Sequence, residues 1–467
     1  STQISLLWSS HSVFCSGAFF FIAINKSYKI ENELIMKLLT AEQMAEVDRL
    51  TIERGTPGIV LMRNAGEAVF RRILTKASVS PQDRIVVVAG RGNNGGDGHR
   101  VAELLAKRGL QVETLLIGSK KNVGGDALTC LKDSENAGVK IIEVKEKKDL
   151  KDADERILAA NVIVDALFGT GLRGDIQGIP ADVVKMMNSS RATVVAVDIP
   201  SGVNASTGEI SKETVHAQYT VTFGCLKVGH VFGPGKRHCG KIAVVDIGFD
   251  PDALGTVESF GYALTRSEAS KLIPERAYDA HKGTAGRVFI LTGTVGLTGA
   301  SVLSSKAALR IGAGLVTAGC PSSLNDILEV KLTEVMTCPL PEVRKKRCLS
   351  LRALGMVREM ARKADVVAVG PGLGLYHETA ELVRRFIADY EGRVVLDADG
   401  INAFRGQADL LKQSPCELVM TPHAGELARV LDTTTSEIIK DSAETVKQAA
   451  KATGKYVLLK GAPTVIA

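Results

Sequence analysis

The chain has no C-x-x-C pair and no His/Cys cluster at metal-binding spacing, so its eight scattered cysteines support neither a zinc site nor a disulfide framework. That usage suits a reducing cytoplasm. Blocks of like charge are missing too. Lys and Arg are spread along 467 residues with a net charge of only +6, which lacks the electrostatic footprint of a nucleic-acid binder. The apolar stretch Val13 to Ile24 is too short to span a bilayer, and no Lys or Arg precedes Lys26 to make a signal-peptide n-region. Residues 1–35 are therefore expected to be an extension outside the fold, with no membrane partner. What remains is an ordinary globular composition, 45% hydrophobic and 24% charged, in a chain longer than one core usually organises. Two domains are expected.

From Thr40 to Lys76 apolar residues recur at helical spacing, broken at Gly55-Thr56-Pro57-Gly58, so two helices precede the first strand. An apolar surface on Met36 to Lys76 would suit a homo-oligomer contact. Strand-like runs then alternate with helical segments: Arg84 to Ala89, Val112 to Ile117, Lys140 to Val144, Val162 to Leu167 and Thr193 to Asp198, closed by Tyr219 to Phe223 and Lys241 to Ile247. Periodicity weakens over 251–278, the expected boundary between a domain at 36–250 and a second at 279–467. The second repeats the alternation, with strands at Arg287 to Leu291, Leu315 to Ala318, Val366 to Val369, Arg393 to Leu396, Leu418 to Thr421 and Tyr456 to Lys460. The fold class is α/β, each domain a mainly parallel sheet with helices on both faces.

In open α/β sheets ligands bind at the carboxyl ends of strands, which directs attention to three loops of the first half. The run Arg91-Gly92-Asn93-Asn94-Gly95-Gly96-Asp97-Gly98 lies between the first strand and a helix expected over His99 to Arg108. Its glycines allow close backbone approach and the helix N-terminus attracts an anion, although its spacing is neither G-x-G-x-x-G nor a lysine-bearing P-loop. The second loop joins Asp165 to Gly169-Thr170-Gly171-Leu172-Arg173-Gly174, and the third is Asp198-Ile199-Pro200-Ser201-Gly202. Together they offer carboxylates, backbone amides and one arginine, a set able to hold a phosphate while an Asp handles a hydroxyl proton.

These motifs, with Leu61-Met62-Arg63-Asn64-Ala65-Gly66, resemble in order the NAD(P)H-hydrate epimerase domain, a Rossmann-like fold, over roughly Met36 to Asp250. The resemblance implies interconversion of the R and S epimers at C6 of the hydrated nicotinamide ring of NADHX and NADPHX. It implies that Asn93, Asn94, Gly95, Gly96, Asp97, Gly169, Thr170, Gly171, Leu172, Arg173, Gly174, Asp175 and Asp198 bind the nucleotide, and that Asn94, Asp165 and Ser201 hold a potassium ion. Asp165 is the expected catalytic carboxylate.

In the second half, His281-Lys282-Gly283, Gly293 with Thr298-Gly299-Ala300, Gly370-Pro371-Gly372-Leu373-Gly374, Asp397-Ala398-Asp399-Gly400, Thr421-Pro422-His423-Ala424-Gly425-Glu426 and Lys460-Gly461-Ala462-Pro463-Thr464 form an ordered set. They resemble the ribokinase-like, ADP-dependent NAD(P)H-hydrate dehydratase domain, and the chain as a whole resembles the bifunctional NAD(P)H-hydrate repair enzymes. The implied roles are hydrate contacts from Ala300, Gly372 and His423, and ADP contacts from Lys460, Gly461, Ala462, Pro463 and Thr464, with Mg2+ accompanying the nucleotide. A Gly-rich G-x-G-D loop, which that superfamily places after the nucleotide-side strand, does not occur before Ala467. The expectations are an impaired dehydratase step, on the order of 10⁴-fold, and a strand at Val457 to Lys460 short of covering helices. The alternative reading is a ribokinase-superfamily small-molecule kinase fused to a non-catalytic nucleotide-binding module.

Overall fold

The computed structural model describes residues 21–23, 36–77 and 79–467. Most of residues 1–35, including most of the apolar stretch, lie outside the described residues, and the expectations placed on them rest there. The exception is Phe21–Ala23, a strand parallel to Thr464–Ile466. The chain divides into two compact units that meet in sequence at Tyr262 and Ala263.

The first unit is built on a seven-stranded sheet: β1 (Arg84–Ala89), β2 (Gln111–Ile117), β3 (Lys140–Val144), β4 (Val162–Ala166), β5 (Thr193–Val197), β6 (Tyr219–Phe223) and β7 (Lys241–Val245). The spatial order is β7-β6-β5-β4-β1-β2-β3 and every pairing is parallel. Its central strands are apolar runs because both faces are covered. Ile85, Val87 and Ala89 of β1 pack with α1 (Ala41–Glu53), α2 (Gly58–Lys76) and α3 (Asn93–Lys107), whereas Val86 and Val88 pack with Leu150–Leu158 and Ile179–Ser189. The strand order reverses between β1 and β4, the switch point where an open parallel sheet leaves a crevice at its carboxyl edge.

One expectation is corrected here. The helix does not begin at His99; Asn93 to Gly98 are its first turns, with Gly92 as N-cap. Three glycines in a helix start cost conformational entropy, and close packing offsets that cost.

The second unit repeats the scheme with β8 (Arg287–Leu291), β9 (Leu315–Pro321), β10 (Met336–Leu340), β11 (Val366–Val369), β12 (Arg393–Leu396), β13 (Glu417–Met420), β14 (Tyr456–Leu459) and β15 (Thr464–Ile466), in the order β10-β9-β8-β11-β12-β13-β14-β15. All of these pairings are parallel except β14 with β15. β14 does not lack cover. Val457, Leu458 and Leu459 are buried beside the helix Ser442–Thr453, and the antiparallel β15 closes the edge. The expected shortage of covering helices is thus overturned, because a helix and a hairpin within the chain supply the packing. No helix among the described residues is long and apolar enough to cross a membrane.

Candidate active site

The glycine-rich start of α3 is wedged into the switch point of the first unit. Gly90 N donates to Ala166 O across 2.9 Å, tying the end of β1 to the end of β4. A Cβ on Gly95 would stand 2.0 Å from Gly90 O, and one on Gly98 would stand 2.5 Å from the Ala166 Cβ. Only glycine lets the helix descend this far, and the descent presents the first-turn N–H groups to an anion at the crevice. Gly95→Ala is expected to cost about 1–3 kcal/mol of stability from overpacking, and a shift of about 1 Å at the helix start would cost about 100-fold in rate. Thermal unfolding and the rate of the epimerisation that the resemblance implies, measured on the same preparation, check both; an unchanged rate would contradict the wedge.

Asp165, one residue from the end of β4, is fully buried. Its Oδ1 accepts from Ser201 Oγ at 2.6 Å and its Oδ2 from Ser201 N at 2.8 Å, with Leu167 N at 3.3 Å from Oδ1. Burial pushes its pKa up to about 6, against the opposing pull of the Ser201 and Leu167 hydrogen bonds. Ser201 Oγ also accepts from Phe168 N at 2.9 Å, and the next residue, Gly169, lies against Asn94, whose side-chain oxygen is 3.2 Å from where a Cβ would be. Asn94 Nδ2 is buried without a hydrogen-bond partner among the described residues. Asn94, Asp165 and Ser201, expected together, do converge along Phe168–Gly169. An amide oxygen, a carboxylate with no basic side chain on it and a hydroxyl are the oxygen donors a hard cation takes.

Asp198 follows β5 in a left-handed backbone conformation, φ 62°. Its Oδ1 accepts from Lys227 Nζ at 2.6 Å and Thr222 Oγ1 at 2.8 Å. Lys227 is buried, and its ammonium also reaches Thr222 Oγ1 (2.8 Å) and Phe223 O (3.0 Å), so three acceptors satisfy its three donors. His230 Nδ1 accepts from Lys227 N at 3.0 Å, which leaves the proton on Nε2 to be donated to Asp198 O at 2.9 Å. Burial would raise the Asp198 pKa, but Lys227 more than offsets this and holds the carboxyl below its usual range. Asp97 behaves oppositely: burial, reinforced by the negative charges of Asp198 and Asp48, pushes its pKa well above the ordinary value. Asp48 is pushed up to about 6 by burial, with Lys227 lowering and Asp198 raising it. The site thus pairs a carboxylate held in its ionised form, Asp198, with one that favours the acid form, Asp97, the separation that acid–base chemistry uses.

Lys227, Thr222, His230 and Asp48 were not among the residues expected from sequence. A signal existed for Lys227, the lone Lys, Arg, Asp or Glu between Gln218 and Lys236, in an otherwise apolar and glycine-rich stretch. Arg173 is exposed and 3.7 Å from Glu42, and Asp175 Oδ1 accepts from Lys212 N at 3.2 Å.

In the second unit, Gly293 N donates to Pro371 O at 3.4 Å across the β8/β11 switch point, and the Thr292 hydroxyl sits between Pro371 O and Ser301 Oγ. Ala300 lies 3.0 Å from where a Gly372 Cβ would be, so these two expected residues are neighbours. His423 caps the helix Ala424–Leu431: its Nδ1 accepts from Gly425 N (3.0 Å) and Glu426 N (3.3 Å), and its Nε2 faces Glu426 Oε1 at 3.2 Å. His423 and Lys460 are bridged through the backbone, and Lys460 Nζ lies 2.8 Å from Asp397 Oδ1 and 4.0 Å from Glu426 Oε2. Sequence alone put neither Asp397 nor Asp399 near the nucleotide segment. Asp397 is beside it, because β12, β13 and β14 run parallel and end at one edge.

Residues 58–229 match the family described as YjeF-related protein N-terminus, and residues 288–467 match the family described as NAD(P)H-hydrate dehydratase. A Moorella thermoacetica protein named bifunctional NAD(P)H-hydrate repair enzyme Nnr is 40% identical over 434 residues, covering 92% of this chain and 82% of that protein. A Salinibacter ruber protein of the same name is 35% identical, covering 92% and 81%. Among solved structures, the ADP/ATP-dependent NAD(P)H-hydrate dehydratase of Bacillus subtilis co-crystallised with ATP/Mg2+ is 25% identical, with a TM-score of 0.35, over 44% of this chain and 68% of that one.

Proposed function

The chain belongs to the bifunctional NAD(P)H-hydrate repair enzymes, and from that premise we propose that in the first unit Asp97 carries the proton of epimerisation and Asp198 the counter-charge. The supporting observation is the opposed protonation preference of these two carboxyls, Asp97 in the first turns of α3 and Asp198 just after β5, near enough that the charge of Asp198 helps raise Asp97. Asp97, in its acid form, protonates the C6 hydroxyl, which leaves as water while the N1 lone pair forms a C6=N1 iminium. Asp198, held ionised by Lys227, balances that positive charge. Water returns to either face of C6 and gives its proton back to Asp97, so the epimers interconvert with no net change. The backbone amides at Asn93 to Gly95 take the pyrophosphate. Asp165, with both oxygens engaged by Ser201 and no exposed surface, serves the cation site in place of proton transfer.

The donor set of Asn94, Asp165 and Ser201 fits a potassium ion, whose positive charge would neutralise Asp165 and hold Asn94 and Phe168–Gly169 together. Exchange of potassium for tetramethylammonium is expected to lower both rate and unfolding temperature. A ligand at 100 times its Kd stabilises by about 2.7 kcal/mol, which a melting curve resolves. Equal curves in the two salts would remove the ion from the proposal.

In the second unit, the terminal phosphoryl group of ADP would pass to the C6 hydroxyl of the S epimer, and elimination of phosphate would restore NADH or NADPH. Lys460 would meet the nucleotide phosphates, exchanging Asp397 for them. Asp397 and Glu426 both face Lys460, so Mg2+ would arrive on the nucleotide's own oxygens. A cytoplasmic homo-oligomer acting on small molecules fits this chemistry. The test is to incubate R-NADHX with the protein and follow the epimer ratio by chromatography, with and without ADP. Absence of epimerisation above background sinks the first activity, and an ADP-independent yield of NADH sinks the second.

A further inference from the structure

A dinucleotide whose reacting ring sits at Asp198 and whose pyrophosphate sits on α3 has one direction left for its adenosine. Asp165 near the end of β4 and Asp198 just after β5 lie on one side of the switch point; the other side is the carboxyl edge of β1 and β2. At the end of β2 a nucleotide-binding sheet that favours an unphosphorylated ribose carries a carboxylate for the 2′-hydroxyl, and an arginine nearby instead accommodates a 2′-phosphate. Gly118 occupies that end here, with φ 125°, anchored by Gly118 N to Val144 O at 3.0 Å. The Arg91 side chain lies across it: a Cβ on Gly118 would meet Arg91 Cδ at 2.9 Å and Nε at 3.5 Å.

The neighbouring carboxylate is already engaged. Glu143 accepts from Lys120 N at 2.7 Å and from Lys145 Nζ at 3.0 Å, and Lys120 Nζ is on Glu135. The Lys120 amide, with Lys145 and Ser119, holds the Glu143 pKa down to about 2, so it stays an acceptor committed to its own loop. Arg91 and Lys121, by contrast, have no hydrogen-bond or ion-pair partner among the described residues. A guanidinium without a partner beside the end of β2, with Glu143 committed to its own loop, suits a dianion better than a bare 2′-hydroxyl.

Resting on the epimerase reading above, we infer that Arg91 recognises the 2′-phosphate of the adenosine ribose and tunes the first unit to NADPHX over NADHX. The decisive measurement is kcat/KM for both R epimers in the full chain. Arg91→Ala is expected to lower NADPHX turnover by about 10- to 100-fold, the worth of a charge-assisted hydrogen bond, and to lower NADHX far less, so that their ratio collapses. Arg91→Lys should restore part of the ratio by keeping the charge. A purely structural role would move both substrates together and would overturn the inference, as would an unchanged ratio. Calorimetric binding of adenosine 2′,5′-bisphosphate against 5′-AMP decides separately from turnover. If neither hydrate is epimerised yet Arg91→Ala abolishes a preference for the bisphosphate, the epimerase reading fails and the phosphate site stands. Equal binding of the two probes by the wild-type protein overturns the site.

Discussion

Lys227→Met is expected to destabilise the first unit by about 3–5 kcal/mol, because it removes the cation from a buried pair and leaves Asp198 uncompensated. The pH dependence identifies the cause. In the native protein Asp198 has a depressed pKa, so its pairing stabilises the fold above the unfolded carboxylate pKa, and that contribution is lost as pH falls through the folded value. Without Lys227, burial dominates and the sign reverses. The Asp198 carboxyl then favours protonation, and its contribution is lost as pH rises past the ordinary carboxylate range. The gap in unfolding temperature between wild type and variant should therefore be wide at pH 7.5 and narrow at pH 4.5. A double variant, Lys227→Met with Asp198→Asn, should regain part of the loss, since no buried charge remains. A single variant within about 0.5 kcal/mol of wild type at neutral pH would refute the pairing argument.

Asp97→Asn separates chemistry from stability in the opposite way. Burial already disfavours the ionised form of Asp97, and the amide matches the protonated carboxyl in shape, so the fold should be undisturbed at neutral pH or gain slightly. Epimerisation should drop by about 10²- to 10⁴-fold, the usual contribution of a positioned acid. In the wild type, kcat/KM should fall as pH rises past the elevated Asp97 pKa, and in the variant that limb should disappear. A native rate in the Asp97→Asn variant would move the acid role elsewhere.

The strands of the first unit were legible because a parallel sheet covered on both faces demands unbroken apolar runs, and Ile85 to Ala89 and Val194 to Val197 are such runs between polar punctuation. The three strand-end loops were legible for a related reason, since polar residues and glycines cluster where strands stop. The start of α3 was not, because glycine propensity argues against helix and only the contacts with Gly90 and Ala166 reverse it. Met336–Leu340 was missed as a strand: only Leu340 is fully buried in this edge strand, and Pro339 interrupts it. Lys227 and Asp48 escaped for a deeper reason. A buried charge is defined by its partner, and Asp198 lies 29 residues from Lys227 in the chain. Asp397 beside Lys460 is the same case at 63 residues' separation.

The wedge beneath α3 bears on how the substrate is gauged. Asn94, Asp97 and the anion-facing amides belong to one helix that its glycines lock to the ends of β1 and β4, and Arg91 stands just ahead of it on the same short connection. These groups cannot adjust one at a time; the helix start acts as a ruler of fixed length, and a dinucleotide is measured against it end to end. Contact energy from the distant adenosine can then be spent on placing C6, so a hydrate shortened to the mononucleotide would fit the chemical end of the ruler yet lose the grip that holds it there.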